Sequence, residues 1–226
     1  SMLMLRAVAA VLAGLATAAS AQEAGLLAPP KPWPRVFTAE FFSDYSSSGS
    51  GAIGGILEYS SVLRAQRVQH SDGAAECEGF YHVPSCTLLF VDDNLYAEFP
   101  PPRPCCLDTP NLGPLPRDWA AGLTFNRTET ISQPVREKDG SLGKREVECS
   151  VYALAVGGAK FHTYWEEAAT EEPVRFTFPP KGGSGTNPQD WTFVHASFDL
   201  SPIDPSRFEL PSGGCAQSCS NPTSTL

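Results

Sequence analysis

From residue 36 onward, the chain is a succession of short segments in which apolar and polar residues alternate, separated by turns rich in glycine and proline. The cleanest segment begins at Leu123, where Phe125, Arg127, Glu129 and Ile131 share one face. Alternation with a period of two is typical of a strand with one buried side. Even spacing of such strands predicts a mostly β protein, built as a meander that forms an open antiparallel sheet, a half-barrel or a sandwich.

The clearest local prediction is a β-hairpin around Asp92-Asp93-Asn94, flanked by apolar residues 87–91 and 95–99. The next stretch, residues 100–118, contains seven prolines and predicts an irregular connection, with room for one helical turn at residues 116–121. The pattern also predicts strands at residues 37–41, 56–69 (two strands or one bent strand), 146–156, 161–165, 174–178 and 191–200.

Residues 191–200 differ from the other predicted strands because both faces are apolar. Trp191 and Phe193 lie on one face, and Val194, Phe198 and Leu200 on the other. Both faces must therefore be covered, either by more protein, which is the commoner arrangement, or by a bound apolar molecule. Alternation suggests four candidate lining residues for such a ligand: Phe125, Trp165, Trp191 and Phe193.

The N-terminus has the pattern of a secretory signal peptide. Arg6 precedes the apolar residues 7–16, and Ala19-Ser20-Ala21 supplies a small-residue cleavage pattern. We therefore expect a signal peptide at 1–21, a proline-rich lead-in at 22–35, a single β domain at 36–215 and a flexible tail at 216–226. No later stretch is long and apolar enough to predict a membrane-spanning helix.

Seven cysteines follow the predicted cleavage point: Cys77, Cys86, Cys105, Cys106, Cys149, Cys215 and Cys219. A secreted chain favours oxidation, so three bridges and one odd thiol are expected, and an odd thiol can link two chains. Cys105 and Cys106 are neighbours and should bond to different partners, because a bridge between adjacent cysteines is strained. The spacing of Cys77, His82 and Cys86 does not match a zinc site, and no metal site is expected.

Charge and motifs exclude several functional classes. The chain has 16 basic and 25 acidic residues, a net charge of −9, which argues against nucleic-acid binding. Residues 49–54 match G-x-G-x-x-G but lack a following helix, so a flexible loop is the better interpretation. No G-x-S-x-G or H-E-x-x-H motif occurs and the four histidines are scattered, so we do not expect an enzyme.

Two polar features remain. Asn126-Arg127-Thr128 is a usable N-glycosylation sequon on the polar face of its predicted strand. The acidic residues Glu166, Glu167, Glu171 and Glu172 are expected to form a solvated loop that could hold calcium only weakly, because they lack the spacing of a calcium-binding loop.

Three stretches resemble the ependymin-related secreted proteins. The first is residues 55–59 with Arg64 and Arg67. The second is the hairpin ending at Tyr96, then Cys105-Cys106, residues 113–116 and Trp119. The third is Phe193 and Phe198 with residues 203–211 and Cys215. The resemblance covers most of residues 52–215. The chain departs from that family in lacking a cysteine near the mature N-terminus and in having Cys77, Cys86 and Cys219.

The resemblance implies a secreted, often glycosylated protein with intrachain disulfides. It also implies a curved antiparallel half-barrel, similar to bacterial periplasmic lipoprotein carriers, with an apolar pocket on the concave face. Some family members bind lipids or calcium. The family's bridge pattern implies that Cys105 and Cys106 are both oxidised, with partners drawn from Cys86, Cys149 and Cys215.

Two functions are consistent with these features. The first is a secreted, or lysosomal, binding protein for a hydrophobic ligand such as a lipid, held on the concave face of the sheet. The alternative is an extracellular matrix or cell-adhesion protein without a ligand pocket, which could bind calcium and could form a homodimer through its odd cysteine. The six cysteines expected in bridges are Cys77, Cys86, Cys105, Cys106, Cys149 and Cys215.

Overall fold

The computed structural model describes residues 28–43, 53–101, 105–156, 159–178, 189–212, 214–215 and 217–219. The strands are β1 Val36–Ser43, β2 Ile53–Ser60, β3 Ala65–His70, β4 Cys86–Val91, β5 Asn94–Glu98, β6 Cys105–Thr109, β7 Thr124–Arg136, β8 Leu142–Val156, β9 Ala159–Glu167, β10 Pro173–Phe178 and β11 Gln189–Phe193. One α-helix, α1 Ala75–Tyr81, and two 3-10 helices, Trp119–Gly122 and Pro205–Phe208, accompany them. The predicted signal peptide and residues 49–52 of the glycine loop lie outside the described residues.

The strands form one 11-stranded antiparallel sheet with the order β6-β5-β4-β3-β2-β1-β11-β10-β9-β8-β7. The expectation of a mostly β fold with an open antiparallel sheet is therefore confirmed. Two meanders, β1–β6 and β7–β11, meet where β1 pairs with β11, in a register that places Phe41 opposite Phe193. The first and last of the described strands are thus neighbours in the middle of the sheet.

The predicted hairpin is confirmed as β4–β5, but its turn is one residue shorter than expected. Val91 pairs with Asn94, which leaves only Asp92 and Asp93 in the turn. Both have positive φ, 50° and 59°, the backbone geometry of a tight hairpin turn that Asp tolerates better than most residues. The proline-rich connection also contains a strand that the sequence did not predict, β6, and a 3-10 helix near the expected helical turn.

The strand expected at residues 191–200 ends at Phe193, because the chain leaves the ladder and Ala196 takes a positive φ of 58°. The irregular segment brings Phe198 to the same side as Phe193, with ring centroids 5.1 Å apart, and within 5.3 Å of Phe37. The prediction that Phe193 and Phe198 face opposite sides of one strand is therefore wrong.

β7 also departs from simple alternation. Its register with β8 shifts between Phe125 and Arg127, so a bulge at Asn126 reverses the face of every later residue. Phe125 packs on Tyr152, whereas Ile131 belongs to a separate cluster with Trp165 on the other side of the sheet. The expectation that Phe125 and Ile131 share a face is wrong for this reason.

One face of the sheet carries an aromatic core centred on Trp33. This tryptophan lies in the proline-rich lead-in and is 1% exposed. Its ring makes edge contacts with five aromatic rings at centroid distances of 5.4–6.4 Å, those of Phe37, Tyr59, Trp119, Phe176 and Phe193. Trp33 is held from both sides of its backbone: its N–H donates to the Arg117 carbonyl at 2.9 Å, and its carbonyl accepts from Arg117 Nε at 2.7 Å. The lead-in therefore packs across this face of the sheet and covers its aromatic side chains.

Three disulfides join Cys77 to Cys86, Cys105 to Cys215 and Cys106 to Cys219. The prediction that Cys105 and Cys106 are oxidised with different partners is confirmed. The bridges agree with a chain that folds in an oxidising compartment. Within the described residues, no helix combines the length and apolar character needed to cross a membrane.

The expectation that Cys149 is bridged is wrong, and Cys219 takes its place. Cys149 is a free thiol, fully buried, on β8. Its neighbours in the cluster are apolar and include no cysteine: Ile131, Val147, Val151, Trp165 and Val174. Residues 217 and 219, within the segment expected to be a tail, are bonded to β6: the Leu107 N–H donates to the Gln217 carbonyl at 2.8 Å, and the Cys219 N–H donates to the Leu107 carbonyl at 2.9 Å.

Candidate functional site

Strands β7–β11 are so strongly curved that the outermost strand, β7, contacts β11 and the residues that follow it. Three strands separate β7 from β11 in the sheet order. Nevertheless Gln133 Nε2 donates to the Phe193 carbonyl at 3.1 Å, and the His195 N–H donates to the Pro134 carbonyl at 2.8 Å. Val135 and His195 form an isolated parallel bridge at the same place. We call this five-stranded unit the curl.

Inside the curl, a polar network fixes the end of the β7–β8 hairpin. We call this part, the C-terminal end of β7 and the N-terminal end of β8 with the turn between them, the arm. Arg145 on β8 donates through Nε to Gln133 Oε1 at 2.8 Å and forms two bonds of 3.1 Å to the carboxylate of Glu167. A paired guanidinium and carboxylate of this geometry is a directional contact. The guanidinium holds the pKa of Glu167 below its usual range. The arm is therefore held over the sheet by specific contacts to β9 and β11.

The arm and the sheet beneath it enclose an open cleft with a volume of about 430 Å³. Its floor is a row of register partners on three strands, Phe42 on β1, Thr192 on β11 and Arg175 on β10. Its walls come from the arm. The lining residues are Phe42, Ile131, Ser132, Pro134, Leu142, Gly143, Lys144, Arg175 and Thr192. The cleft is thus apolar with a few hydroxyl and cationic groups.

The two cations of the cleft have different surroundings. Arg175 forms an ion pair with Asp190, and its guanidinium carbon lies 5.2 Å from the ring centroid of Trp165. Stacking on an aromatic face and pairing with a carboxylate both favour a fixed guanidinium. Lys144 is exposed on the arm. Arg175 therefore contributes a fixed charge to the floor, and Lys144 an exposed charge at the rim.

The four predicted lining residues do not line one pocket. Phe125 and Trp191 lie in a cross-strand row with Tyr152, Tyr164 and Phe176 that faces the aromatic core. Trp191 and Phe193 are only 4% and 0% exposed. Trp165 belongs to the opposite face, because its register partners are Val151 and Arg175. The face that carries Trp191 and Phe193 is filled by protein side chains.

The sequence did not point to the cleft residues Phe42, Lys144 and Thr192. Each is an ordinary side chain of an alternating strand, and only the return of β7 to β11 brings them together. The signal that could have helped is Gln133, a polar residue at an inward position that alternates with apolar neighbours and must find a partner when buried.

A second, smaller pocket of about 210 Å³ is polar. It is lined by Gln69, His70, Ser85, Cys86, Thr87, Glu98, Phe99 and Pro100. Burial raises the pKa of the Glu98 carboxyl, and the charges of Arg67 and Arg207 oppose this shift. A half-buried carboxyl among hydroxyl and amide groups could accept a small polar molecule, but the pocket is too polar for a hydrophobic one.

The acidic loop brings together the one group of three metal-type ligands found among the described residues. Donor atoms of Glu167, Glu172 and His195 lie within 4.8 Å of one another. Arg145 already bonds both carboxylate oxygens of Glu167, which leaves a positive charge beside the group. A cation would have to displace or neutralise that guanidinium, so the geometry does not favour calcium here.

Glu166, the neighbour of Glu167, is in the opposite environment. Its side chain points to the aromatic-core face, is 4% exposed, and accepts a hydrogen bond from the Tyr152 hydroxyl at 2.8 Å. Burial raises the pKa of Glu166 above its usual value. The expectation of a solvated acidic loop is thus wrong for Glu166, and Glu171 and Glu172 are exposed.

The candidate glycosylation residue, Asn126, is exposed and lies at the bulge of β7. The side chain of a residue at that position leaves the sheet at an irregular point of the edge strand. The structure thus presents the sequon at the surface, where a glycan attached to it would extend into solvent.

Comparison with known proteins finds structural neighbours of low similarity and no family. No protein-family model matches the sequence, and no curated protein matches it. An uncharacterised conserved protein from Thermus thermophilus has a TM-score of 0.43 at 11% identity, covering 82% of this chain and 90% of its own. A LolA superfamily protein from Nitrosomonas europaea has a TM-score of 0.36 at 9% identity, covering 79% of this chain and 92% of its own. The resemblance to ependymin-related proteins remains a prediction from the sequence.

Proposed function

We propose that the protein is a secreted, non-enzymatic binding protein for a small hydrophobic ligand, and that the ligand occupies the cleft between the β7–β8 arm and the sheet. The observation that carries this proposal is the cleft itself. Its volume, about 430 Å³, lies within the usual range of ligand pockets, about 300–1,000 Å³. Apolar walls with a few polar groups are the usual composition of such sites.

The position of the ligand differs from the one expected from the sequence. A pocket beside Trp191 and Phe193 would require removal of Trp33, Trp119 or Phe198 from a close-packed cluster. Interiors of this kind are packed to the density of organic crystals and leave no room for a guest. The cleft lies on the other face, where Phe42 is half-buried and Leu142 is 48% exposed. These residues would be covered by a bound apolar molecule.

The composition of the cleft supports a binding role over a catalytic one. Among the described residues, its lining has no histidine, cysteine or carboxylate. Those are the side chains most often used as general bases and activated nucleophiles. The expected part of Ser132 and Thr192 is therefore to orient a polar end of the ligand with their hydroxyls.

The alternative of a covalently linked matrix protein loses its main support. That hypothesis used the odd cysteine as a link between chains, and the odd cysteine is the buried Cys149. Secretion and glycosylation at Asn126 belong to the proposal and are supported by the three disulfides and the exposed sequon. Mass spectrometry of the secreted protein before and after glycosidase treatment, with Asn126→Gln beside it, tests the glycan.

Fluorescence of the neutral probe N-phenyl-1-naphthylamine tests the binding site. We expect saturable binding to the wild-type protein and at least about tenfold weaker binding to Leu142→Asp, which places a carboxylate in the cleft wall at a cost of about 1.4 kcal/mol or more. Leu63→Asp is the matched control, because Leu63 is similarly exposed, at 46%, but lies in the β2–β3 turn. Near-ultraviolet circular dichroism verifies that both variants are folded.

Two results would contradict the proposal. One is an absence of saturable binding to the wild-type protein. The other is an equal loss of binding in Leu142→Asp and Leu63→Asp, which would mean that the probe adheres to exposed leucines and not to the cleft. Extraction of the purified protein followed by mass spectrometry then identifies any ligand retained from secretion.

A further inference from the structure

Among the described residues, no strand lies beside the outer edge of β7 along most of its length. β7 spans 13 residues and ends the sheet order, so β8 pairs with one side of it only. Within the described residues, its other side meets the chain only at Pro134 and Val135, where His195 approaches. Residues 124 to 132 therefore present an open row of backbone groups, which is a template for another strand.

The direction of those backbone groups follows from the contact at Pro134. Its carbonyl accepts from the His195 N–H at 2.8 Å, so the backbone of Pro134 points away from β8. In an antiparallel strand, outward-pointing residues alternate. The N–H and carbonyl groups of Ser132, Thr130 and Thr128 therefore also point outward, up to the bulge at Asn126.

The charges along this edge are self-complementary. Arg127 and Glu129 flank Thr128, form an ion pair with each other, and are 42% and 35% exposed at their side chains. If two copies of β7 pair antiparallel about Thr128, Arg127 of each copy lies directly opposite Glu129 of the other. These would be the pairs without backbone bonds, in which opposed side chains come closest together. Thr128 would meet its own copy in the intervening hydrogen-bonded pair.

We propose that the exposed edge of β7 is a homotypic docking surface, on which a second copy of the chain adds its own β7 in antiparallel register about Thr128. The product is a twofold-symmetric dimer with one continuous sheet. A twofold interface uses the same patch on both copies, and this is the only symmetry in which one Arg and one Glu on a single strand satisfy each other twice.

The arrangement differs from a merely protected edge. Charged residues and bulges often prevent edge pairing, and a strand with like charges would repel its copy. Here the two charges have opposite sign and equal spacing from Thr128, so the antiparallel register that pairs the threonines also pairs the charges. Shifting the centre to Thr130 would place Glu129 opposite Ile131 and lose this match.

The pairing is short, and the dimer is weak as a result. The bulge at Asn126 limits it at one end and the contact of Pro134 with His195 limits it at the other. A contact of this size falls below the area of stable interfaces.

A glycan on Asn126 leaves from a face of the strand, since side chains stand roughly perpendicular to the sheet, whereas a partner strand approaches along its edge.

Sedimentation velocity of the secreted protein, before and after glycan removal, tests the proposal with charge-exchange variants. We expect a concentration-dependent dimer. Arg127→Glu and Glu129→Arg each place like charges opposite one another twice and weaken the dimer about tenfold or more, since each like pair replaces an attraction of about 0.2–1 kcal/mol with a repulsion. The double variant Arg127→Glu with Glu129→Arg restores both pairs with exchanged polarity and recovers the dimer.

Lys138→Glu is the matched control, because it reverses a charge on the exposed β7–β8 turn without touching the edge. A wild-type protein that stays monomeric up to about millimolar concentration, where a 1 mM dissociation constant corresponds to about 4.1 kcal/mol, overturns the proposal. So does a double variant as weak as the single ones, or a Lys138→Glu variant as weak as Arg127→Glu. None of these outcomes bears on ligand binding in the cleft.

Discussion

Gln133 and Phe193 are joined by a hydrogen bond of 3.1 Å from the side-chain amide of the first to the backbone carbonyl of the second, and this contact closes the curl. Gln133 is 3% exposed and also accepts from Arg145 at 2.8 Å. Gln133→Ala would leave a buried carbonyl and a guanidinium N–H without this partner. We expect the free energy of unfolding to fall by about 1–3 kcal/mol, measured by urea denaturation.

The control for this prediction is Gln69→Ala, since Gln69 is exposed on β3. Its effect should stay within about 0.5 kcal/mol, as is usual for surface substitutions. Equal effects of the two substitutions would show that the amide of Gln133 does not hold the curl closed.

The two long-range disulfides are expected to be redundant. Cys105–Cys215 and Cys106–Cys219 close loops of nearly the same length, with sequence separations of 110 and 113. Either bridge alone restricts the unfolded chain almost as much as both, because the second adds only a short loop. Removing one pair by Cys→Ala substitution should therefore lower the free energy of unfolding much less than removing both pairs. For the removal of both pairs, the loop-entropy relation gives a loss of about 5 kcal/mol. Melting temperatures of the two double variants and the quadruple variant measure this difference.

Full reduction should lower the melting temperature clearly, by loss of all three bridges. An unchanged transition in excess reductant, with every thiol shown to be free, would contradict a stabilising role. Additive losses from the two long-range pairs would instead contradict their redundancy.

Glu166 and Glu167 should respond to pH in opposite directions. Burial raises the pKa of Glu166, so folding favours its protonated form, and the stability that this gives is present in acid and lost as the pH rises through the raised pKa. Arg145 lowers the pKa of Glu167, so its stabilising effect is present at neutral pH and lost as the pH falls through the lowered pKa.

Urea unfolding at about pH 3, below the usual Glu pKa of about 4.3, and at about pH 7.5, well above it, measures both effects. As the pH rises, the free energy of unfolding of Glu166→Gln should increase relative to that of the wild-type protein. That of Glu167→Gln should decrease relative to the wild-type protein. Curves that run parallel to the wild type for both variants would show that neither carboxyl differs between the folded and unfolded states.

The thiol of Cys149 should be unreactive in the folded protein. It is fully buried on β8, and burial raises its pKa to about 12, which leaves almost no thiolate at neutral pH. Alkylation followed by mass spectrometry should find no labelled thiol in native buffer and one labelled thiol per chain in denaturant. Rapid native labelling, or a covalent dimer on a non-reducing gel, would show that Cys149 is accessible.

The sequence predicted the strands better than the faces that they bury. The alternation around Phe125 and Ile131 is regular in the sequence, and a single bulge at Asn126, which no local signal marks, moves the two residues to opposite sides. Ala196 has a similar effect, since its positive φ ends β11 and turns Phe198 back onto the core. Such irregularities depend on what each strand pairs with, and pairing across the sheet is not encoded locally.

The candidate site was harder to predict because its parts are distant in the chain. Phe42, Lys144 and Thr192 come together only after β1 pairs with β11 and β7 returns over them. The position of Trp33 is hard to predict for a related reason: prolines on both sides indicate an extended segment, and they do not reveal that it lies across the core. The oxidised neighbours Cys105 and Cys106 were predictable, because the constraint on adjacent cysteines is purely geometric.

The pairing of β1 with β11 imposes an order on synthesis. β1 leaves the ribosome early, and β2–β6 can assemble on one side of it while the rest of the chain is still being made. The other side of β1 must wait for β11, some 150 residues later by the register of Phe41 with Phe193. During that interval one edge of β1, a strand rich in phenylalanine, stays unpaired, and such an edge binds chaperones or its own copies. Synthesis of the rest of the chain therefore has to outpace aggregation at this strand, and slow codons before β11 would lower the yield of folded protein.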